Sequence, residues 1–274
     1  MQDSAAHFIW LTARVIDQRR FAYLFGDGTA DGVRAALAAY RNPEGGYGWA
    51  LEPDGRGPAS HPLHALTALS ILDEIGAVTP EICDRLDAPP AEDAASYPRA
   101  PWFPEDASAL ALLPTAGIAG VLLRNGIRHP YVERAAAFCR AAVDSLTTTH
   151  PYEAGAVVTY LDATKDEEAA ARLGRIVREA GLVDLPGRPV ARPEGYAEGE
   201  MHRPYDYAPT PDSLARRWFT DAEMATALDR LEADQEADGG WPIHFRSWAP
   251  GISLEWRPVA TIHALKVLRA YGRM

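Results

Sequence analysis

The chain is poor in the residues that many chemistries require. It holds two cysteines in 274 residues, Cys83 and Cys139, each inside an apolar run. Two thiols cannot build a zinc site of several thiolates, and their setting is that of small buried hydrophobes. Basic residues are outnumbered by acidic ones, 27 to 38, and the net charge of −11 repels nucleic acids and anionic lipid surfaces alike. No run of 18 apolar residues is available to cross a membrane. Met1-Gln2-Asp3-Ser4 carries no basic stretch, and Arg14, Arg19 and Arg20 interrupt the apolar residues that follow. These absences point to a cytoplasmic protein with no nucleic-acid partner and no integral membrane segment. Strand-like alternation is scarce too, which leaves helices to build the core.

What the chain does have is helical periodicity. Residues 4–24 place Ala5, Phe8, Ile9, Ala13 and Ile16 on one face, with Arg14, Asp17 and Gln18 opposite. Further helices are expected at 31–40, 61–76, 114–125, 130–147, 152–162, 165–181, 213–219, 221–235 and 255–271. Thr164-x-x-Glu167 and Thr220-x-x-Glu223 have the spacing of capping boxes, and Thr79-Pro80 marks another start. The helices at 165–181 and 221–235 carry a single apolar stripe. Those at 61–76 and 255–271 are apolar on nearly every side, as a helix buried all round must be. Two stretches, 87–109 and 185–212, are rich in proline yet hold Trp102, Phe103, Tyr196, Tyr205 and Tyr207. So many aromatics suit ordered loops over a functional mouth better than linkers.

One motif occurs near each end. Gly45-Gly46-Tyr47-Gly48-Trp49 precedes a helix containing His64-Ala65-Leu66, and Gly239-Gly240-Trp241 precedes one containing His263-Ala264-Leu265. The repetition reads as a helical array that closes on itself, with the two copies at the seam and 1–274 as one domain.

Gln235-x-x-Asp238-Gly239-Gly240-Trp241 resembles the glutamine-tryptophan repeat of squalene–hopene cyclases and related terpenoid cyclases, and Asn42 to Gly48 looks like a degenerate copy. The whole chain is similar to single-domain bacterial proteins described as prenyltransferase- or squalene-cyclase-like. Asn42 to Arg56, Tyr97 to Trp102, Tyr207 to Ser213, Asp238 to Pro242 and Glu255-Trp256-Arg257 carry that likeness. The resemblance implies an all-α fold, an (α/α) toroid of about six helical hairpins. It implies no particular reaction. The Asp-x-Asp-Asp of class II cyclases, the Asp-Asp-x-x-Asp of class I synthases, the zinc ligands of protein prenyltransferases and the Cys/His set of lanthionine cyclases are all missing from the text.

The densest polar group is Glu52-Pro53-Asp54-Gly55-Arg56. Of two carboxyls a residue apart, one can be driven towards its protonated state while the other keeps its charge beside an arginine, which suits a general acid or base. The competing reading is a surface turn with Arg56 paired to Glu52. Glu255 and Arg257 hold the corresponding place before the last helix, and in a closed toroid they face the first group. His64 and His263 occupy matching registers and are acid–base candidates if that register faces a cavity; a satisfied core histidine is the alternative. His61-x-x-His64 is too sparse a set for a metal, so neither metal nor cofactor is expected. Trp49, Trp102, Trp248 and Trp256, with Tyr205 and Asp206, are candidates for the lining of a pocket. Trp241 belongs instead between helices. Three functions follow: acid-catalysed cyclisation or isomerisation of an apolar or amphipathic small molecule, non-catalytic binding of such a molecule or interaction with a partner, and sugar chemistry by paired carboxylates.

Overall fold

A computed structural model describes residues 1–86, 96–103 and 111–274. Among them the regular structure is helical, as the periodicity requires. The order is α1 (Gln2–Thr12), α2 (Val15–Phe25), α3 (Ala30–Ala38), α4 (Pro62–Glu74), α5 (Glu81–Leu86), α6 (Leu112–Arg124), α7 (Pro130–Asp144), α8 (Pro151–Thr164), α9 (Glu167–Glu179), α10 (Pro204–Tyr207), α11 (Asp221–Ala233) and α12 (Ile252–Ala270), with a 3-10 turn at Leu214–Trp218. No strand occurs among the described residues, only isolated bridges from Arg41 to Tyr47 and from Gly55 to Arg99.

Several boundaries differ from the sequence reading for local reasons. The expected helix over 4–24 breaks in two, because Ala13 (ψ 151) and Arg14 (ψ 155) are extended. The break frees the Arg14 guanidinium to donate to the carbonyls of Ala50 (2.8 Å) and Leu51 (3.2 Å). It also turns Asp17 inward: placed on the polar face by periodicity, Asp17 is fully buried. Thr164 does not cap α9. Lys165 closes α8 in the left-handed conformation, and Asp166 caps α9 by accepting from the Ala169 N–H. The box at Thr220 and Glu223 forms with both reciprocal bonds. Pro80 immediately precedes α5, and α10 is a single turn inside the proline-rich stretch 185–212. Of the other such stretch, 87–109, only 96–103 falls within the described residues.

Burial follows helix type. α6 is buried at Leu112 and from Pro114 through Leu122, against α4, α7 and α8. α9 and α11 bury one stripe each and turn their charges outward. α12 departs from the expectation of all-round burial, since Leu254 and His263 are exposed. At the other extreme of the chain, α1 and α2 pack on α12, so the first and last helices meet.

The doubled glycine motif is one turn built twice. Gly45 (φ 93) donates to the Asn42 carbonyl and the Asn42 N–H to the Gly46 carbonyl (2.9 and 2.8 Å); Gly239 (φ 92) and Glu236 repeat this with Gly240 (2.9 and 2.9 Å). The second copy contacts the first helix. Gln235 Nε2 is shared among the Met1 carbonyl (3.1 Å), Ser4 Oγ (3.1 Å) and the Gly239 carbonyl (2.8 Å). Trp241 is buried, with its indole N–H on the Leu231 carbonyl (2.7 Å) and its backbone N–H on Thr261 Oγ1 (3.0 Å). A Cβ on Gly239 would meet the Ser4 carbonyl oxygen, and its φ is one that only glycine adopts without strain. Gly239→Ala is therefore expected to lower the unfolding free energy by about 3 kcal/mol. Gly251→Ala, with open space around it, is expected to change it by less than about 1 kcal/mol in the same urea titration.

Candidate functional site

The chain between the first glycine turn and α4 carries the group picked out from sequence, and two remote segments close on it. Asp54 lies buried where the loop 96–103 runs alongside, with the Ala100 N–H on the Asp54 carbonyl (2.8 Å) and the Arg56 N–H on that of Pro98 (3.0 Å). Three indole N–H groups converge on its carboxylate. Trp248 (3.0 Å) and Trp256 (3.1 Å) donate to Oδ1 and Trp102 (2.7 Å) to Oδ2. They come from the segment before α12, from α12 itself and from the loop 96–103. Both oxygens of Asp54 thus accept from indole N–H groups, which ties three aromatic side chains to one carboxylate.

Glu52 is placed differently. Its Oε2 accepts from the Asp54 N–H (3.1 Å), and the side chain remains partly exposed. Burial among surrounding atoms, then the neighbouring Asp54 charge, push its carboxyl up to about 8, so at neutral pH it carries a proton. His64 is held by accepting the Glu52 N–H on Nδ1 (3.1 Å). Burial, with His61 and Arg14 as lesser causes, drives it down to about 3, so it stays neutral and acts as an orienting acceptor. Phe103 packs against the rings of both His61 (4.4 Å) and His64 (5.8 Å).

Arg56 does not pair with Glu52. It meets both oxygens of Glu255 (2.9 and 2.9 Å), 199 residues away in the chain, with Arg14 at 3.8 Å from the same carboxylate. Arg257 stands apart from this group. It braces the second glycine turn through Asp238 (2.8 Å) and Glu236 (2.5 Å) and lies over the Phe8 ring. Trp49 is exposed, its indole N–H on Asn42 Oδ1 (2.8 Å), and also lies outside the cluster.

Beneath the cluster runs a row of charges that sequence reading missed. Arg14 and Arg20 flank buried Asp17 (2.9 and 3.1 Å), Arg20 grips Glu74 (2.9 Å), and Lys266 closes on Glu74 (2.7 Å). Burial alone would raise the Glu74 carboxyl, but Arg20 and then Lys266 hold it down to about 2. The row ties α2, α4 and α12 together. Its one textual signal is the i, i+3 charge spacing of Arg14, Asp17 and Arg20 within an apolar helix.

A cavity of about 360 Å³ opens beside Trp256, the tryptophan that also reaches Asp54. Tyr205, Asp206, Trp256 and His263 all line it, with His202 from the segment His202 to Tyr207 that the sequence suggests as a lid, and with Tyr152 and Glu200, which the sequence did not single out. His263 and His64 are not equivalents. The glycine turns are 194 residues apart and the histidines 199, so the helix registers differ. His64 is buried in the first turn of α4, whereas His263 sits mid-helix in α12, half exposed within the recess and 3.9 Å from Asp206. The walls of the recess desolvate it, and Lys266 adds to this, so His263 is lowered to about 4. Burial raises Asp206 to about 6 against the opposing Arg203 N–H (2.7 Å). Glu200 is also raised by burial and accepts the Tyr152 hydroxyl (3.1 Å).

No protein-family model, no curated protein and no solved structure matches this chain. The site therefore rests on its own geometry. No cluster of three or more metal-ligating side chains occurs among the described residues, and no helix there is long and apolar enough to cross a membrane.

Two expectations follow. Asp54→Asn turns an amide N–H₂ towards at least one indole N–H, leaving a buried donor unmatched, and should cost about 2 kcal/mol of stability by urea unfolding. The Glu52 carboxyl binds its proton more tightly folded than unfolded, so its contribution to stability falls as pH rises from about 4.5 to about 8. Relative to wild type, Glu52→Gln should thus gain stability steadily between those values and reach a plateau above them; a pH-independent difference in melting temperature would contradict it.

Proposed function

We propose that this protein is a terpenoid-cyclase-like enzyme that isomerises or cyclises an apolar or amphipathic small molecule by proton transfer. In this reading the helices form a closed (α/α) toroid of about six hairpins, the proline-rich stretches overhang one mouth, and the protein works in the cytoplasm. The observation that carries the reading is a pair of carboxyls with divided roles. Glu52 is raised to about 8 and partly exposed, while its neighbour Asp54 is occupied by three indoles. Pairs pushed apart by environment mark acid–base sites.

Glu52 is the proton donor. Asp54 is a positioning residue: it holds Trp102, Trp248 and Trp256, whose faces suit a developing positive charge. The Arg56–Glu255 pair joins the two halves of the wall, while burial and the Asp54 charge favour the protonated form of Glu52. The substrate reaches from the Glu52 turn past Trp256 into the cavity, where neutral His263, with Asp206 beside it, accepts the proton that leaves, and exchange with solvent restores both groups before the next turnover. Proton gain at one atom and loss at another conserve mass, as an isomerisation requires. The squalene–cyclase-like motifs at Gly45 and Gly239 support the architecture, while the chemistry rests on the carboxyl pair.

The test is native mass spectrometry of freshly purified wild-type and Glu52→Gln protein, followed by chromatography of the released small molecule. Both are expected to release compounds of one mass, the wild type holding the rearranged isomer and the variant the unconverted one. Identical isomers would point to a non-catalytic binding module, and an empty cavity in both would sink the proposal.

A further inference from the structure

On the face of α9 away from the candidate site, a groove of about 610 Å³ runs between that helix and the 3-10 turn at Leu214–Trp218. Its lining includes four arginines, Arg175, Arg178, Arg188 and Arg217, against two glutamates, Glu167 and Glu179, in a chain whose net charge is −11. Two of the four are engaged. Arg178 pairs with Glu223 (2.9 Å) and donates to the Trp218 carbonyl (2.7 Å), and Arg217 pairs with Glu167 (2.8 Å). The exposed Arg175 and Arg188 have no acceptor among the described residues, and Glu179 is the one lining carboxylate left to offset them. Two guanidiniums facing one groove repel each other until an anion enters between them, and their planar forks match phosphoryl oxygens.

A second observation comes from Trp218. Its ring lies against Gly174, where any Cβ would collide with it, so α9 is cut back to seat the indole in the groove lining. Its Nε1–H is buried without a hydrogen-bond partner. Buried indole N–H groups normally find an acceptor. Here the N–H stays inside the wall against Gly174, while the indole ring, two unpaired guanidiniums and an apolar strip from Ala170, Ala171 and Leu214 share one concave surface.

We infer that the α9 groove is a binding site for a small molecule bearing a phosphate or diphosphate group, held by Arg175 and Arg188 and separate from the cavity beside Trp256. The guanidiniums supply charge-assisted hydrogen bonds to the anion. The fixed pairs Arg178–Glu223 and Arg217–Glu167 keep the groove walls apart, and the apolar strip takes the rest of the ligand. An effector or a substrate's distal group are the two sources of such an anion.

Isothermal titration of the intact protein with inorganic pyrophosphate, at constant ionic strength, tests the site. One saturable site per chain is expected, with a dissociation constant below about 1 mM. Arg175→Ala/Arg188→Ala, which removes no side-chain hydrogen bond or ion pair among the described residues, should weaken it at least about tenfold. Arg246→Ala, an exposed arginine outside the groove, should leave it unchanged. Absence of saturation by about 10 mM, or equal affinity in the double variant, would overturn the assignment. If pyrophosphate binds, titration into the Glu52→Gln protein separates the two sources: unchanged affinity goes with an effector site, and displacement of the molecule released from the cavity goes with a substrate's distal group. Neither outcome bears on Glu52 as proton donor.

Discussion

One carboxylate holds the candidate site together. Asp54 gathers indole N–H groups from the loop 96–103, from the segment before α12 and from α12, positions separated by up to about 200 residues of chain. A buried acceptor satisfied by three donors is a steep constraint, because withdrawing any one of them leaves polar atoms desolvated without a partner. The aromatic walls consequently cannot shift independently. Glu52 is positioned on the same turn through the Asp54 N–H, while burial and then the Asp54 charge raise its proton affinity. Hydrogen bonds thereby fix the geometry of the whole cluster.

A second constraint supports the first from below. The row Arg14, Asp17, Arg20, Glu74 and Lys266 places alternating charges through the contact of α2, α4 and α12. Asp17, Arg20 and Glu74 are largely buried and tolerable only beside their partners, so loss of one of these three typically costs about 3–5 kcal/mol, whereas Lys266 is part-exposed. The row links side chains of all three helices through consecutive ion pairs. Arg14 belongs to both constraints, since its guanidinium also reaches the Ala50 and Leu51 carbonyls at the start of the Glu52 turn. The break between α1 and α2 that sets Arg14 free is therefore part of how the site is built.

Much of this was legible in the text, and the illegible remainder has a common cause. Glu52 and Asp54 stood out as two carboxyls one residue apart, and Glu255 as their counterpart before the last helix. Which of them carries a proton was not readable, because that depends on burial and on donors drawn from remote segments. Arg257 shares a tripeptide with Glu255 yet serves the glycine turn, since successive residues on a helix point about 100° apart. The histidines illustrate the same limit. Equal tripeptides suggested equal places, but a five-residue difference in spacing from the glycine turns put His64 under Glu52 and His263 in the cavity wall.

Local chemistry written in neighbouring residues was determined by the sequence alone. The helical class, the single-stripe character of α9 and α11, the box at Thr220 and Glu223 and the repeated glycine turn all follow from periodicity and backbone preferences within a few residues. The tertiary structure decided what depends on distance through space. It buried Asp17 instead of solvating it, gave Arg56 to Glu255 and brought three tryptophans to Asp54. The physical reason is that propensity and capping act over one or two helical turns, whereas desolvation and charge pairing are set by whichever segments the folded chain brings together.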